Sequence, residues 1–186
     1  MANSAMVIHT VGHSTRTLDE FVELLRTYGI ERLVDVRTIP RSRHNPQFNM
    51  DTLAKSLRNR RIAYRHMSEL GGLRHARADS RNTGWRNASF RGFADYMQTS
   101  EFADAVAKLV QLGAEKPTAI MCAETVPWRC HRSLIGDALV VRGIEVRDII
   151  SIKSAKPHVL TSMAKVEGLA ISYPVADDEA TKGSSS

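Results

Sequence analysis

The sequence predicts an α/β fold: a single-domain, three-layer open sheet, mainly parallel, with helices on both faces. Two observations predict it. Short β-branched or uncharged apolar runs alternate along the chain with stretches whose apolar residues recur at helical spacing, and glycines close several of the helical stretches. The 186 residues, 42% hydrophobic and 25% charged, suffice for one core and are too apolar for a disordered chain.

Each element follows from local chemistry. Residues 6–11 form a β-rich run that ends at Gly12. Thr17 and Glu20 make a capping box for a helix in which Leu18, Phe21, Val22, Leu25 and Tyr28 share a face, and Gly29 stops it. Leu33, Val34 and Val36 give a second strand, which leads into a basic loop over residues 37–50. Asp51 caps a helix that reaches about residue 60, and residues 62–66 form a third strand. Residues 68–89 lack periodicity and carry Gly71, Gly72 and Trp85 among several arginines, so they are the candidate lid. Helices are expected over residues 90–98 and 100–112, a fourth strand over 118–121, a helix over 130–142 and a fifth strand over 144–150. A short helix near Leu160 and an edge strand over residues 170–173 would follow. The pattern is Rossmann-like, with the order 3-2-1-4-5 and room for an added edge strand. Residues 6–174 are expected to form the domain, residues 1–5 a flexible N-terminus and residues 175–186 a disordered tail.

Charge is distributed unevenly. The chain carries +6, yet residues 37–91 hold twelve arginines and Lys55 against Asp51, Glu69 and Asp79, a local +10. Arginine grips phosphate with a planar fork and stacks on bases, so the block points to nucleic acid or a phosphate-bearing small molecule as partner. No apolar run approaches the roughly 20 residues of a membrane helix, and the opening residues lack the basic start and apolar stretch of a signal peptide. A cytoplasmic protein without a membrane partner is expected; the sequence leaves its oligomeric state open. Two cysteines, Cys122 and Cys130, are too few for a disulfide framework.

Open α/β sheets bind ligands beyond the carboxyl ends of their strands. Here those ends carry His13 and Ser14, Asp35 and Arg37, His66, and Cys122 and Glu124. With the first and fourth strands as neighbours, His13 and Ser14 face Cys122 and Glu124. Glu124 is the candidate acid or base, with His13 or His131, and Cys122 or Cys130 is the candidate nucleophile. Cys130, at a helix start beside Arg129 and His131, is the thiol expected to ionise more readily, whereas Cys122 ends an apolar strand and reads as a buried thiol. His131 and Arg132 in a first helical turn oppose the macrodipole unless an anion binds there. The candidate substrate or anion contacts are Ser14, Arg16, Arg37, Arg41, Arg43, Arg129, Arg132, Trp85 and Arg86, with Asp35 bracing Arg37 from behind. No G-x-G-x-x-G follows the first strand and no Walker lysine is present, so no cofactor is expected. Cys122, Cys130 and His131 would be the ligands of zinc or another transition metal, but they lack the paired spacing of strong zinc sites.

Gly12-His13-Ser14, Val34-Asp35-Val36-Arg37, Pro40-Arg41-Ser42-Arg43, Leu70-Gly71-Gly72, Arg91-Gly92-Phe93-Ala94-Asp95-Tyr96-Met97 and residues 121–132 together resemble the DUF488 family over about residues 7–174. The resemblance implies an α/β fold and carries no assigned reaction. Function then follows from the side chains of the site, not from the fold. The expectation is an enzyme, a hydrolase or transferase, acting on nucleic acid or a nucleotide-like phosphate ester, with a phosphoester or an N-glycosidic bond as the target. The alternatives are a non-catalytic nucleic-acid-binding module and a thiol- or sulfur-handling protein.

Overall fold

The computed structural model describes residues 5–175. The N-terminal segment and tail expected to be disordered lie, except for Ala5 and Val175, outside the described residues. Six strands form the main sheet: β1 (Val7–Gly12), β2 (Arg32–Asp35), β3 (Ala63–His66), β4 (Thr118–Cys122), β5 (Glu145–Ser151) and β6 (Ser154–Pro157). Five helices accompany them: α1 (Leu18–Thr27), α2 (Met50–Asn59), α3 (Ala88–Tyr96), α4 (Ser100–Glu115) and α5 (Arg132–Val141). The Thr17–Glu20 capping box forms in both directions at the start of α1.

The three-layer, mainly parallel α/β class is present, but the strand order is 3-2-4-1-5-6. The expected 3-2-1-4-5 is corrected in one respect: β4 lies between β2 and β1, paired in parallel with both. The physical reason is tertiary: β1 and β4 are both apolar enough to lie inside the sheet, and local pattern does not rank them. A strand flanked on both edges and covered on both faces must be uncharged, and all five residues of β4 are buried. Alternate β4 residues feed two cores. Ala119 and Met121 join Phe21, Leu25, Leu53 and Leu57 from α1 and α2 on one face. Ile120 and Cys122 join Phe93, Phe102, Leu109, Leu134 and Ile135 from α3, α4 and α5 on the other. Each such fully buried Leu, Ile or Phe contributes about 1.5–3 kcal/mol.

The added edge strand is β6, antiparallel to β5. Residues 170–173 are extended as expected, but β8 (Ala170–Ser172) pairs with β7 (Lys165–Glu167) in a separate hairpin and does not edge the main sheet. No helix forms at Leu160. Side-chain anchors, invisible to periodicity, set this segment instead. His158 lies 2.9 Å from both Asp137 and Asp148, Tyr173 donates its hydroxyl to Asp137, and Thr10 donates to Asp148.

Burial alone would lower the His158 pKa, but its hydrogen bonds to the two carboxylates outweigh it and push it up to about 9. A raised histidine pKa stabilises the fold fully below the unfolded value of 6.5, and the gain is lost as pH rises through about 9. Urea midpoints measured from pH 6 to pH 10 should fall by the equivalent of roughly 2 kcal/mol, solvent screening allowed for. His158→Gln should flatten that fall; an unchanged slope would refute the assignment.

Residues 68–89, the candidate lid, supply Gly72, Leu73 and Ser89 to the cleft described below and are anchored at several points. Asp95 on α3 accepts hydrogen bonds from the Arg77 amide, the Ser80 hydroxyl and the Asn82 side chain, and the Tyr173 amide donates to Asn82. At the other end the Leu73 amide donates to Thr38 and the Arg74 guanidinium stacks 3.6 Å above the Tyr96 ring. Two of these bonds, Asn82 to Asp95 and the Tyr173 amide to Asn82, are buried, and they tie the segment to the frame.

Candidate active site

A cleft of about 410 Å³ opens at the carboxyl ends of β1, β2 and β4. It collects His13, Arg37, Arg41, Cys122, Glu124, Arg129, Cys130 and His131, residues from three separate stretches of chain. Its size suits a small-molecule ligand. The strands meet closely there because Gly12 lacks a side chain: a β-carbon on it would collide with the Glu124 carbonyl. The His13 and Ser14 amides then donate to the Cys122 and Ala123 carbonyls, extending the β1–β4 pairing into the site.

The chemical centre is a pair of sulfurs and one arginine. Cys122 and Cys130 are both buried, free thiols, with their Sγ atoms 2.7 Å apart. Arg132 Nη1 reaches Cys122 Sγ at 2.8 Å, the Val11 carbonyl at 2.8 Å and the Glu124 carbonyl at 2.9 Å, while Nη2 donates to the Thr125 carbonyl at 3.1 Å. Arg132 is 0% exposed, and among the described residues no carboxylate forms an ion pair with it. A buried guanidinium without a counter-charge is costly. Of its hydrogen-bond partners, the Cys122 sulfur alone can ionise to supply one. Burial opposes that ionisation most strongly, but the Cys130 hydrogen bond and the Arg132 charge prevail, holding Cys122 below the ordinary thiol range. Donation to Cys122, reinforced by burial, pushes the Cys130 thiol up.

The two cysteines thus take the reverse of the roles expected from the sequence. The helix starts at Arg132, after a short 3-10 turn over Pro127–Arg129, so the Arg132 side chain reaches across to β4 instead of outward to an anion. His131, the N-cap residue, adds no charge.

Both site histidines are neutral. Burial lowers the pKa of each to about 4. His131 Nε2 lies 3.1 and 3.0 Å from the Val36 and Leu70 carbonyls, which fixes its proton there and leaves Nδ1, 3.5 Å from Cys130 Sγ, as an acceptor. Gly72 packs against that ring so closely that a β-carbon would displace it. His13 donates from Nδ1 to the Ser14 carbonyl and stacks on Phe48, and its Nε2 sits 3.4 Å from Arg37.

Arg37 is held by Asp35 through two bonds, Nε to Oδ1 at 2.8 Å and Nη2 to Oδ2 at 2.6 Å. The Tyr64 hydroxyl donates to the same carboxylate. Arg41 and Arg129 differ from Arg37 in being exposed at the cleft, as is Glu124. Ile39 and Leu73, 62% and 67% exposed, form an apolar rim beside Phe90.

Several expected contacts lie elsewhere. Arg16 donates to the Gly12 and Ile150 carbonyls, and Ser14 adopts a left-handed turn at φ 50° outside the cleft wall. Arg43 and Arg86 are exposed and do not line the cleft. Trp85 stacks on Phe90 and packs against Tyr173, half-buried beside the core, and does not itself line the cleft. Sequence reasoning missed Ile39, Gly72, Leu73 and Phe90 as cleft residues; the Gly71-Gly72 pair was the one signal for that wall. Cys122, Cys130 and His131 do converge, yet among the described residues no group of three or more His, Cys, Asp or Glu side chains is arranged to hold a metal ion. Nor is any described helix long and apolar enough to cross a membrane.

Fold and cleft together define an open-sheet α/β domain with a thiol-containing pocket at its carboxyl edge. The chain belongs to the family described as domain of unknown function DUF488, whose model matches residues 17–139. No curated protein and no solved structure matches it.

Proposed function

We propose that the protein is an enzyme that cleaves a nucleotide-like phosphate ester, with Cys122 as nucleophile. One observation carries this: the Cys122 sulfur, 2.8 Å from buried Arg132, lies at the base of a cleft whose mouth presents the guanidinium groups of Arg41 and Arg129, unpaired among the described residues. The two arginines bind the phosphate, and the apolar rim of Ile39, Leu73 and Phe90 accommodates the base. Cys122 attacks phosphorus and the ester oxygen leaves, taking a proton from solvent at the open mouth. Glu124 then accepts a proton from the water that hydrolyses the cysteinyl phosphate, releasing phosphate and restoring the thiolate. Within the turn after β4 the Arg129 and Cys130 amides are taken up by the Val126 and Pro127 carbonyls, so these two are not free to bind the anion.

The test is phosphate release from a panel of nucleoside monophosphates, dinucleotides and short single-stranded oligonucleotides. Cys122→Ser should lower turnover at least about 1000-fold and Glu124→Gln about 100-fold or more, with affinity nearly unchanged. Joint replacement of Arg41 and Arg129 by Ala should raise KM with a smaller effect on kcat. Turnover untouched by Cys122→Ser would overturn the assignment. Salt-steep oligonucleotide binding without turnover, lost in the arginine variants, would instead identify a binding module.

A further inference from the structure

We infer that Cys122 and Cys130 are a dithiol that closes to a reversible disulfide by exchange with a low-molecular-weight disulfide entering the cleft. This dithiol chemistry rests on the Cys122 thiolate of the preceding proposal but not on its substrate. Three features of the site support it. The sulfurs lie 2.7 Å apart, and closing to the roughly 2.05 Å of a disulfide requires less than about 1 Å of movement. Both sulfur-bearing residues line the open cleft, so a reagent can reach them despite their burial. The environment is also asymmetric: Arg132 addresses Cys122, while the neutral Nδ1 of His131 faces Cys130 at 3.5 Å. An attacking thiolate and a resolving thiol with its own proton acceptor are the parts that exchange needs.

Cys122 thiolate attacks one sulfur of R–S–S–R, forming a Cys122–S–S–R mixed disulfide and releasing RS⁻. The mixed disulfide ends Cys130's donation to a Cys122 thiolate, and the Cys130 sulfur attacks Cys122 Sγ as its proton passes to His131 Nδ1, displacing the second RS⁻. That thiolate takes the proton from His131 and leaves as RSH. The Cys122–Cys130 bond is formed, the small disulfide is reduced to two thiol equivalents, and no other oxidant is required. Formation of the bond removes the anion beside Arg132. The reduced state is therefore the electrostatically favoured one, and external thiol should reopen the bond readily.

The experiment treats the full chain with oxidised glutathione and follows intact mass and alkylatable thiols. The expected product is a monomer with no glutathione attached, two fewer titratable thiols and a Cys122–Cys130 cross-linked peptide, all reversed by dithiothreitol. Cys130→Ser should stop at a mixed disulfide on Cys122, whereas Cys122→Ser should leave Cys130 unmodified at neutral pH. His131→Gln should slow resolution about tenfold or more while leaving the first step unchanged. Attachment of a glutathione to each cysteine, preferential reaction of Cys130, or cross-links only between chains would overturn the inference. These readouts need no turnover of a phosphate ester, so this result and that of the substrate panel fail or stand separately. If Cys122→Ser does not fold, the trapped adduct in Cys130→Ser alone decides which sulfur attacks.

Discussion

Arg132→Met should destabilise the protein by about 3–5 kcal/mol, measured as a drop in the urea midpoint, because methionine matches the bulk and none of the bonds. The guanidinium ties together the Val11, Glu124 and Thr125 carbonyls, which belong to β1 and to the turn after β4. Its loss leaves those buried acceptors unmatched, at about 1–3 kcal/mol each where water cannot reach them. It also removes the cation beside Cys122 Sγ. The second readout is therefore chemical: thiolate absorbance at neutral pH should vanish, and alkylation of Cys122 should shift to higher pH. Arg132→Lys should restore only part of both properties, since one ammonium cannot reach four acceptors around a planar fork. A stable Arg132→Met protein with an unaltered Cys122 titration would show that the cysteine is not the guanidinium's counter-ion.

Gly12→Ala should be nearly as damaging without altering any charge. The added methyl group collides with the main chain at Glu124 and Thr125, which cannot swing aside as the end of a flexible side chain would. Either β1 or the turn after β4 must shift, at a cost of about 3 kcal/mol or more. The displaced turn carries Glu124 and the carbonyls that Arg132 binds. The loss should appear both in the denaturation midpoint and in altered alkylation kinetics at Cys122. A Gly12→Ala variant of native stability and thiol reactivity would mean that the two strands do not approach as described.

Much of this architecture was legible in the residues themselves. The capping box at Thr17 and Glu20, the apolar faces of α1 and α4 and the uncharged run of β4 are local signals, and local signals report helices and strands well. The gathering of His13, Arg37, Cys122, Glu124 and His131 at one edge followed from the general rule for parallel sheets. What the sequence hid depends on contacts between distant residues. The insertion of β4 between β1 and β2 is a choice among apolar strands that periodicity cannot rank. The Asp95 anchors that fix residues 77–82, and the Asp137–His158 contact that orders the chain beyond β6, join side chains far apart in sequence. The ionisation of the thiols was inverted for the same reason. The residues flanking Cys130 suggested an electropositive setting, but Arg132 reaches across to the other sulfur.

The central position of β1 bears on how the molecule can be divided. Residues 17–139, the stretch that carries the family signature, omit β1, the strand hydrogen-bonded on both sides between β4 and β5. A fragment trimmed to that stretch would lose the middle rib of the sheet together with the His13 wall of the cleft, and its exposed β4 edge would invite pairing between copies. Excision at those boundaries should yield aggregate rather than a smaller working unit.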